Sequence, residues 1–390
     1  MRILFCNYEY PPLGGGGGVV MAALARELAR RHTVTVLTSR AGDLSAEDDD
    51  RGVRVIRVPV LFRRQLSVAN FPSMFAYLPM AAWRGLRMRR HSEFDVVNTH
   101  FVVPTGPVGQ WIADRHGIPN VLSVHGGDLY DPSKKLSPHR HGWMRGPIRR
   151  MLMRADAVVA QSHNTLGNVG EIYGVRREID LIPLGIERPP ANVSASRAGF
   201  GLPADAFVLV TVGRLVARKQ TTQLVAAMAR SGVERAHFLI VGSGPDEAPI
   251  RQAAAAHGVA GRVHLLGSLG EADKYRAIAA ADVFASTSQH EGFGLVFLEA
   301  MAMGLPVICY DHGGQTDYLA TGATGHVLRL NDAIAFSGAI RDLSESPERC
   351  RQFGGFNRAR VEEFFIDRCA ERYEAVMQRA IDARGARPRG

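Results

Sequence analysis

The sequence predicts an α/β protein of two doubly wound parallel-sheet domains facing a cleft. Three observations predict it. Short β-branched runs alternate with helical stretches, the rhythm of βαβ units. The alternation breaks once, at the Pro-, Gly-, Ala- and Ser-rich stretch 185–203, and then restarts. At 390 residues the chain is long enough for about two to three domains with full cores.

In the first half RILFCN, TVTVLT, VRVIRV, FDVVN, PNVLSV and DAVVA read as strands, ending in EIDLIPLGI. Between the first two lie PPLGGGGGVV, residues 11–20, and a helix-like stretch from Val20 to Arg31. A glycine-rich turn between a first strand and a first helix lets an anionic group approach backbone N–H groups. A dinucleotide fingerprint does not fit this one. G-x-G-x-x-G would need glycine at Val19, Val20 or Met21, and the second strand runs into Ser39 and Arg40 instead of a ribose-holding carboxylate. The second half reads FVLVTVG, AHFLIVG, RVHLLG, DVFAS and LPVIC, separated by Ala-rich helical stretches. The expected domains are therefore 1–187 and 204–365, with a linker at 188–203. An amphipathic helix from Ile366 to about Ala383, able to pack back on the first domain, precedes a flexible tail to residue 390. Open parallel sheets bind ligands beyond the carboxyl ends of their strands, so functional residues are sought in strand-to-helix loops.

No apolar run approaches the ~20 residues that span a bilayer. MRILFC turns polar at Asn7 before a signal-peptide core can form, which predicts a cytoplasmic protein. Cys6, Cys309, Cys350 and Cys369 have no C-x-x-C spacing and read as reduced, mostly core thiols. The net charge of +9 is local: residues 61–90 hold six arginines, residues 132–154 seven basic residues, and neither stretch holds an acid. The first stretch mixes its arginines with Phe62, Phe71, Phe75, Tyr77 and Trp83, which suits an anionic membrane surface or an anionic acceptor. Nucleic acid is a poor partner for them, because no recognition-helix or zinc-finger pattern is present.

Two loops carry chemistry. After FVLVTVG stand Gly213 and Arg214, with Lys219 five residues beyond Arg214. A planar guanidinium and a compact ammonium together suit a diphosphate. After DVFAS stands TSQHEGFGLVFLEAMAMGLPVI, residues 287–308. Glu291 falls at a helix mouth, where Gly292 and Gly294 leave N–H groups accessible. Glu299 falls about two turns into the helix among Leu295, Val296, Leu298 and Met303. A carboxylate in such company needs partners such as ribose hydroxyls.

The E-x7-E pattern inside EGFGLVFLEAMAMGLPVI resembles the retaining GT-B glycosyltransferases of family 4, also called glycosyl transferases group 1. The resemblance covers nearly the whole chain, with YPPLGGGGG, VHGGD, GRLVARK, VGSGP, HEGFG and DHGG in that order. It implies a GT-B fold whose second domain binds a nucleoside-diphosphate sugar and whose first takes an acceptor, in several relatives a lipid-linked one. It implies that Gly15 and Gly16, with Gly17 as a third, lie against the donor diphosphate or sugar, and that Arg214 and Lys219 neutralise the departing diphosphate. Glu299 matches the ribose-binding carboxylate. Glu291 and the N–H groups of Phe293, Gly294, Leu295 and Val296 match the donor-sugar and phosphate contacts. His125 matches a histidine beside the reacting sugar, Asp128 an acceptor contact, and Gly242, Gly244 and Gly267 backbone contacts near the nucleobase. One departure stands out: many relatives carry G-G-x-x-E where this chain has GGQTD, with Asp317 the shorter acid.

The implied reaction moves a sugar to an acceptor hydroxyl with retained configuration. No metal or other cofactor is expected, since no D-x-D cluster stands at the donor loops and Arg214 with Lys219 can supply the positive charge. UDP is slightly favoured as the donor nucleotide, with GDP as the alternative. The rival readings are a GT-B sugar-nucleotide epimerase, a nicotinamide oxidoreductase and a basic nucleic-acid-binding protein.

Overall fold

The structure is a computed structural model that describes residues 1–61, 63, 71–88, 94–132, 136–194 and 196–386, and only the backbone of Phe71 and Leu86. Phe62, Arg64, Arg89, Arg90, Lys134 and Lys135 of the two basic stretches, the side chain of Phe71 and tail residues 387–390 lie outside the described residues. The chain forms two compact units, residues 1–187 with 365–390, and residues 188–364.

The first unit holds strands β1 (Arg2–Cys6), β2 (Thr33–Arg40), β3 (Glu47–Asp50), β4 (Val53–Pro59), β5 (Val96–His100), β6 (Asn120–Val124), β7 (Ala157–Ala160) and β8 (Asp180–Leu181). They form one sheet in the order β3-β4-β2-β1-β5-β6-β7-β8, parallel except for β3, which runs antiparallel along β4. Successive side chains of β1 point to opposite faces. Ile3 and Phe5 join Val34, Val36 and Val96 in one buried cluster, while Leu4 and Cys6 join Leu37, Ile56 and Val97 in another. Helices Gly16–Ala29 and Ile366–Gly385 cover the first face, and helices Phe71–Met88 and Thr105–His116 the second. Covering both faces is why the strands read as nearly continuous apolar runs.

The first helix begins at Gly16, four residues before the apolar stretch that announces it in the sequence. The Gly15 carbonyl accepts from the Gly18 and Val19 N–H groups at 3.0 and 3.2 Å, so three of the five glycines, Gly16 to Gly18, belong to the helix's first turn. Helix Ile366–Gly385 buries Cys369, Ala370, Tyr373, Val376, Met377 and Ala380, at successive spacings of one and three that keep them on a single helical face. Its N-terminal end is fixed by the Ile366 N–H, which donates to the Ile186 carbonyl at 2.8 Å.

The second unit holds β9 (Phe207–Val212), β10 (Ala236–Val241), β11 (Val263–Gly267), β12 (Val283–Ser286), β13 (Val307–Tyr310) and β14 (Gly325–Leu328), all parallel, in the order β11-β10-β9-β12-β13-β14. Stretch 188–203, linker-like in composition, belongs to this unit. Arg197 is the reason: its guanidinium donates to the Ala206 carbonyl at 2.9 Å and to Asp282 at 2.7 Å. In each sheet the strand order reverses once, between β1 and β5 and between β9 and β12, and such a reversal opens a crevice at the strands' carboxyl ends.

If the last helix is integral to the first unit, Met377→Ala, which empties a fully buried position, should cost about 2–5 kcal/mol in that unit's unfolding transition. Denaturant unfolding measures it. A loss within about 0.5 kcal/mol, the level of a surface substitution, would mean that the helix is not part of the core.

Candidate active site

In the second unit the loops after β9, β12 and β13 are stitched together around one carboxylate. Lys219 ends a short turn, Ala217–Lys219, and its Nζ donates to Glu291 Oε1. Arg218 lies 3.3 Å from Oε2 of the same carboxylate and also donates to the His290 carbonyl. The Thr287 hydroxyl donates to the Gln220 carbonyl at 2.8 Å and the Gln289 N–H to the Arg218 carbonyl at 2.9 Å. From the third loop, the Gly314 N–H donates to the Glu291 carbonyl at 2.9 Å. Gly313 permits that approach: its φ is +130°, and a Cβ there would lie 2.8 Å from the Glu291 nitrogen. Glu291 is buried, which by itself would push its carboxyl up; the charges of Lys219 and Arg218 outweigh burial and hold it at about 2.

Immediately beyond Glu291 the chain turns into helix Leu295–Ala302, with Gly294 as its N-cap at φ +88°. The Tyr318 hydroxyl, donating to the Phe293 or Gly294 carbonyl at 2.7 and 2.8 Å, fixes this turn. The first helical turn leaves the N–H groups of Leu295 and Val296 without intrahelical acceptors. Just over one turn into the helix, Glu299 receives Lys274 at 2.9 Å, and its other oxygen is buried without a hydrogen-bond partner among the described residues. Burial pushes the Glu299 carboxyl up, and Lys274 pulls it part of the way back.

On the other flank of β9 the loops are joined through backbone. The Gly213 N–H donates to the Val241 carbonyl at 2.9 Å, and the Gly242 N–H to the Gly267 carbonyl at 2.7 Å. Leu215 reaches the Ser243 carbonyl at 3.0 Å, past which Gly244 turns the chain. Arg214 is exposed and takes no hydrogen-bond or ionic partner among the described residues. Lys219 commits one of its three N–H donors to Glu291, which leaves two for a ligand. In the departing GGQTD segment, Gln315 is buried and donates to the Tyr310 carbonyl at 2.9 Å, which braces the loop from below.

In the first unit the residues at the β1–β5 reversal also come together. Gly15 is extended, and its N–H reaches Glu9 Oε2 at 3.3 Å. Gly16 and Gly17 open the helix, and a Cβ on Gly17 would stand 2.5 Å from the Phe101 ring, so only glycine lets the helix sit this close to the end of β5. Phe101 stacks on His125 with ring centroids 4.3 Å apart. His125 Nε2 is 2.9 Å from His100 Nδ1, and Nδ1 of His125 is buried without a partner among the described residues. Burial holds the His125 ring neutral, with its pKa lowered to about 4. Asp128 accepts the Val102 N–H at 2.7 Å and the His125 N–H at 2.9 Å, tying the loops after β5 and β6 together.

Three participants escape the sequence reading. Arg218 looks like a spare charge beside Lys219. Lys274 sits three residues after Glu271 and reads as half of a surface ion pair, which it also forms. His100 ends an apolar strand and carries no motif. Only the pairing of β5 with β6, which sets His100 opposite Ser123, brings it within reach of His125.

The folded-state pKa of Glu291 lies below its ordinary 4.5, so its contribution to stability is present above pH 4.5 and is lost as pH falls toward about 2. Glu291→Gln should therefore be less stable than wild type at pH 7, with the gap closing between about pH 4.5 and 2. Melting temperatures across that range check this. A gap that does not change with pH would contradict it.

Comparison with known proteins places this geometry in a family. Residues 14–188 match the family described as Glycosyltransferase Family 4, and residues 192–360 that described as Glycosyl transferases group 1. The GDP-mannose-dependent alpha-(1-6)-phosphatidylinositol monomannoside mannosyltransferase of Mycolicibacterium smegmatis is 27% identical over 375 residues, 90% of this chain and 91% of that protein. The 2-deoxystreptamine N-acetyl-D-glucosaminyltransferase of Streptomyces fradiae is 29% identical over 358 residues, 87% and 84% of the two chains. Among solved structures, sucrose-phosphate synthase from Thermosynechococcus elongatus superposes with a TM-score of 0.82 at 23% identity, over 98% of this chain and all of that one. The chain belongs to the glycosyltransferases of family 4 and group 1, and its two parallel-sheet units carry their fold.

Proposed function

We propose that this glycosyltransferase moves a sugar from a nucleoside-diphosphate sugar to an acceptor hydroxyl with retained anomeric configuration and without a metal. The observation that carries the reading is the cationic pair on the β9 loop: Arg214 uncommitted, and Lys219 braced by Glu291 with two donors to spare. As the bond to the diphosphate breaks, these cations take up the negative charge that develops on the leaving phosphate, which is the usual largest source of rate in such sites. The acceptor hydroxyl attacks on the face from which the diphosphate departs and passes its proton to a phosphate oxygen. That path gives retention with no covalent intermediate on a carboxylate.

The N–H groups at the mouth of helix Leu295–Ala302 receive phosphate or sugar oxygens, with the helix dipole in their favour. Glu299 takes the ribose hydroxyls, which would satisfy its buried free oxygen. Neutral His125 offers Nδ1 to a sugar hydroxyl, while Asp128 positions its loop. The glycine turn at Gly15 to Gly17 gives the donor close access to backbone.

Uracil is the base we assign to the donor. Guanine is the second reading, because relatives at 27% identity are named as GDP-mannose-dependent enzymes. The two acid-free basic stretches of the first unit favour an anionic or lipid-linked acceptor and contact with an anionic membrane surface. No described helix is long and apolar enough to cross a membrane, so such contact would be peripheral.

A melting-temperature screen of UDP, GDP, ADP and NAD(P)H tests the donor class, since a ligand of the folded state raises the transition. One nucleoside diphosphate should shift wild type and fail with the Arg214→Ala, Lys219→Ala double variant. A shift with NAD(P)H alone would refute the reading. With the identified donor, Lys219→Ala should lower the transfer rate by about 100- to 1,000-fold. Chelator should leave the wild-type rate unchanged, and proton NMR of the product should show the donor's anomeric configuration. An inverted product would overturn the same-face path.

A further inference from the structure

At the amino ends of the second unit's strands lies a cleft of about 510 Å³, within the size range of small-molecule sites. Phe207 opens β9, Arg235 directly precedes β10 and Asp282 directly precedes β12, and all three line it. Another wall is one face of helix Pro347–Val361, where Cys350, Arg351, Gly354 and Arg358 follow at spacings of one, three and four. The candidate active site lies beyond the other ends of the same strands, and none of its residues lines the cleft.

Three of the lining residues are arginines, and no carboxylate among the described residues answers them. Asp282, the one acid among the described lining residues, is already taken by Arg197 and by the Val208 N–H, each at 2.7 Å. Arg235 donates to the carbonyls of Asp205 and Ser344, and its guanidinium lies 5.7 Å from the Phe207 ring centroid. Arg358 donates to the Met303 carbonyl at 3.1 Å. A Cβ on Gly304 would stand 2.3 Å from Arg358 Cζ, so glycine there keeps room for the guanidinium. Arg351 is exposed and takes no hydrogen-bond or ionic partner among the described residues. Neighbours on the same helix are paired, Arg349 with Asp342 and Arg360 with Glu363. Two guanidinium groups are thus held in place by backbone carbonyls without being neutralised, and a third stands free.

Planar guanidinium forks gathered in one cleft match the several oxygens of a phosphate dianion. Ala281, Pro306 and Leu343 supply apolar wall for the body that carries the phosphate. We propose that this cleft binds a small organic phosphate monoester, its phosphate received by Arg235, Arg351 and Arg358. The site uses nothing from the donor loops, so it stands apart from the glycosyltransferase reading.

Cys350 is the reporter. Its thiol lines the cleft, whereas Cys6, Cys309 and Cys369 are buried. Burial, with Asp282 and Asp342 nearby, pushes the Cys350 thiol up to about 11, so alkylation of the full chain by iodoacetamide at mildly alkaline pH is slow enough to follow by mass spectrometry. The probe is phenyl phosphate, with phenol and sodium chloride at matched ionic strength as controls. Phenyl phosphate should slow alkylation of Cys350 at least about tenfold and saturably, and neither control should. Each variant is compared with its own unliganded rate, because the Arg351 charge itself acts on the thiol. Arg351→Ser should keep the wild-type melting temperature and raise the half-protecting concentration about tenfold, the loss of one charge-assisted contact. Arg351→Glu should abolish protection, while Arg360→Ser should leave it unchanged. The Arg214→Ala, Lys219→Ala double variant should be protected as wild type is, which separates this cleft from the donor site.

Protection that never saturates, that sodium chloride reproduces, or that survives Arg351→Glu would overturn the proposal. Inorganic phosphate that protects as well as phenyl phosphate at equal concentration would overturn it too, by showing an ion site whose walls hold no organic body.

Discussion

A carboxylate buried between two cations organises the second unit. Burying the Glu291 carboxylate costs several kcal/mol, and that cost is repaid only where opposite charges meet it in good geometry. Here the condition forces three loops into one arrangement. Lys219 and Arg218 come from the loop after β9, Glu291 from that after β12, and Gly313 with Gly314 crosses behind it from that after β13. The backbone amides at the head of helix Leu295–Ala302 are aimed by the same turn. The ion cluster around Glu291 thus fixes both Lys219 and the head of that helix.

The first unit repeats the sheet reversal with opposite chemistry. At its carboxyl ends stand a neutral histidine pair, an aromatic ring and a glycine turn, packed so closely that a single Cβ on Gly17 would strike Phe101. His100 stacks on Phe5 at 5.4 Å and on Tyr373 at 5.8 Å, so β1 and the last helix both reach the pair that holds His125. The helix from the far end of the chain therefore completes this unit's core and supports its candidate site.

Much of the site was legible because its chemistry is carried by loops at predictable places. Glu291 and Glu299 stand out as acids in an apolar stretch, and Arg214 with Lys219 as a basic pair directly after a strand. The glycine run announced a close approach without revealing that three of its five residues are helix. Arg218, Lys274 and His100 were not legible, because each depends on a partner supplied from 25 to 73 residues away by strand pairing or loop crossing. Strand β3 was hidden for a different reason: its residues, Glu-Asp-Asp-Asp, have no apolar alternation, and it exists because antiparallel pairing along β4 sets Asp49 opposite Arg54 at the sheet edge.

The sequence by itself determined the parallel α/β class, the twofold division near residue 187, the strand ends where the candidate site lies and the family to which the chain belongs, because these follow from local periodicity and short motifs. Tertiary structure alone decided which cations hold Glu291, which tie Glu299, and which ring holds His125. It also decided that residues 188–203 belong to the second unit through Arg197. Those outcomes depend on distances between residues remote in the chain, and no periodicity records such distances.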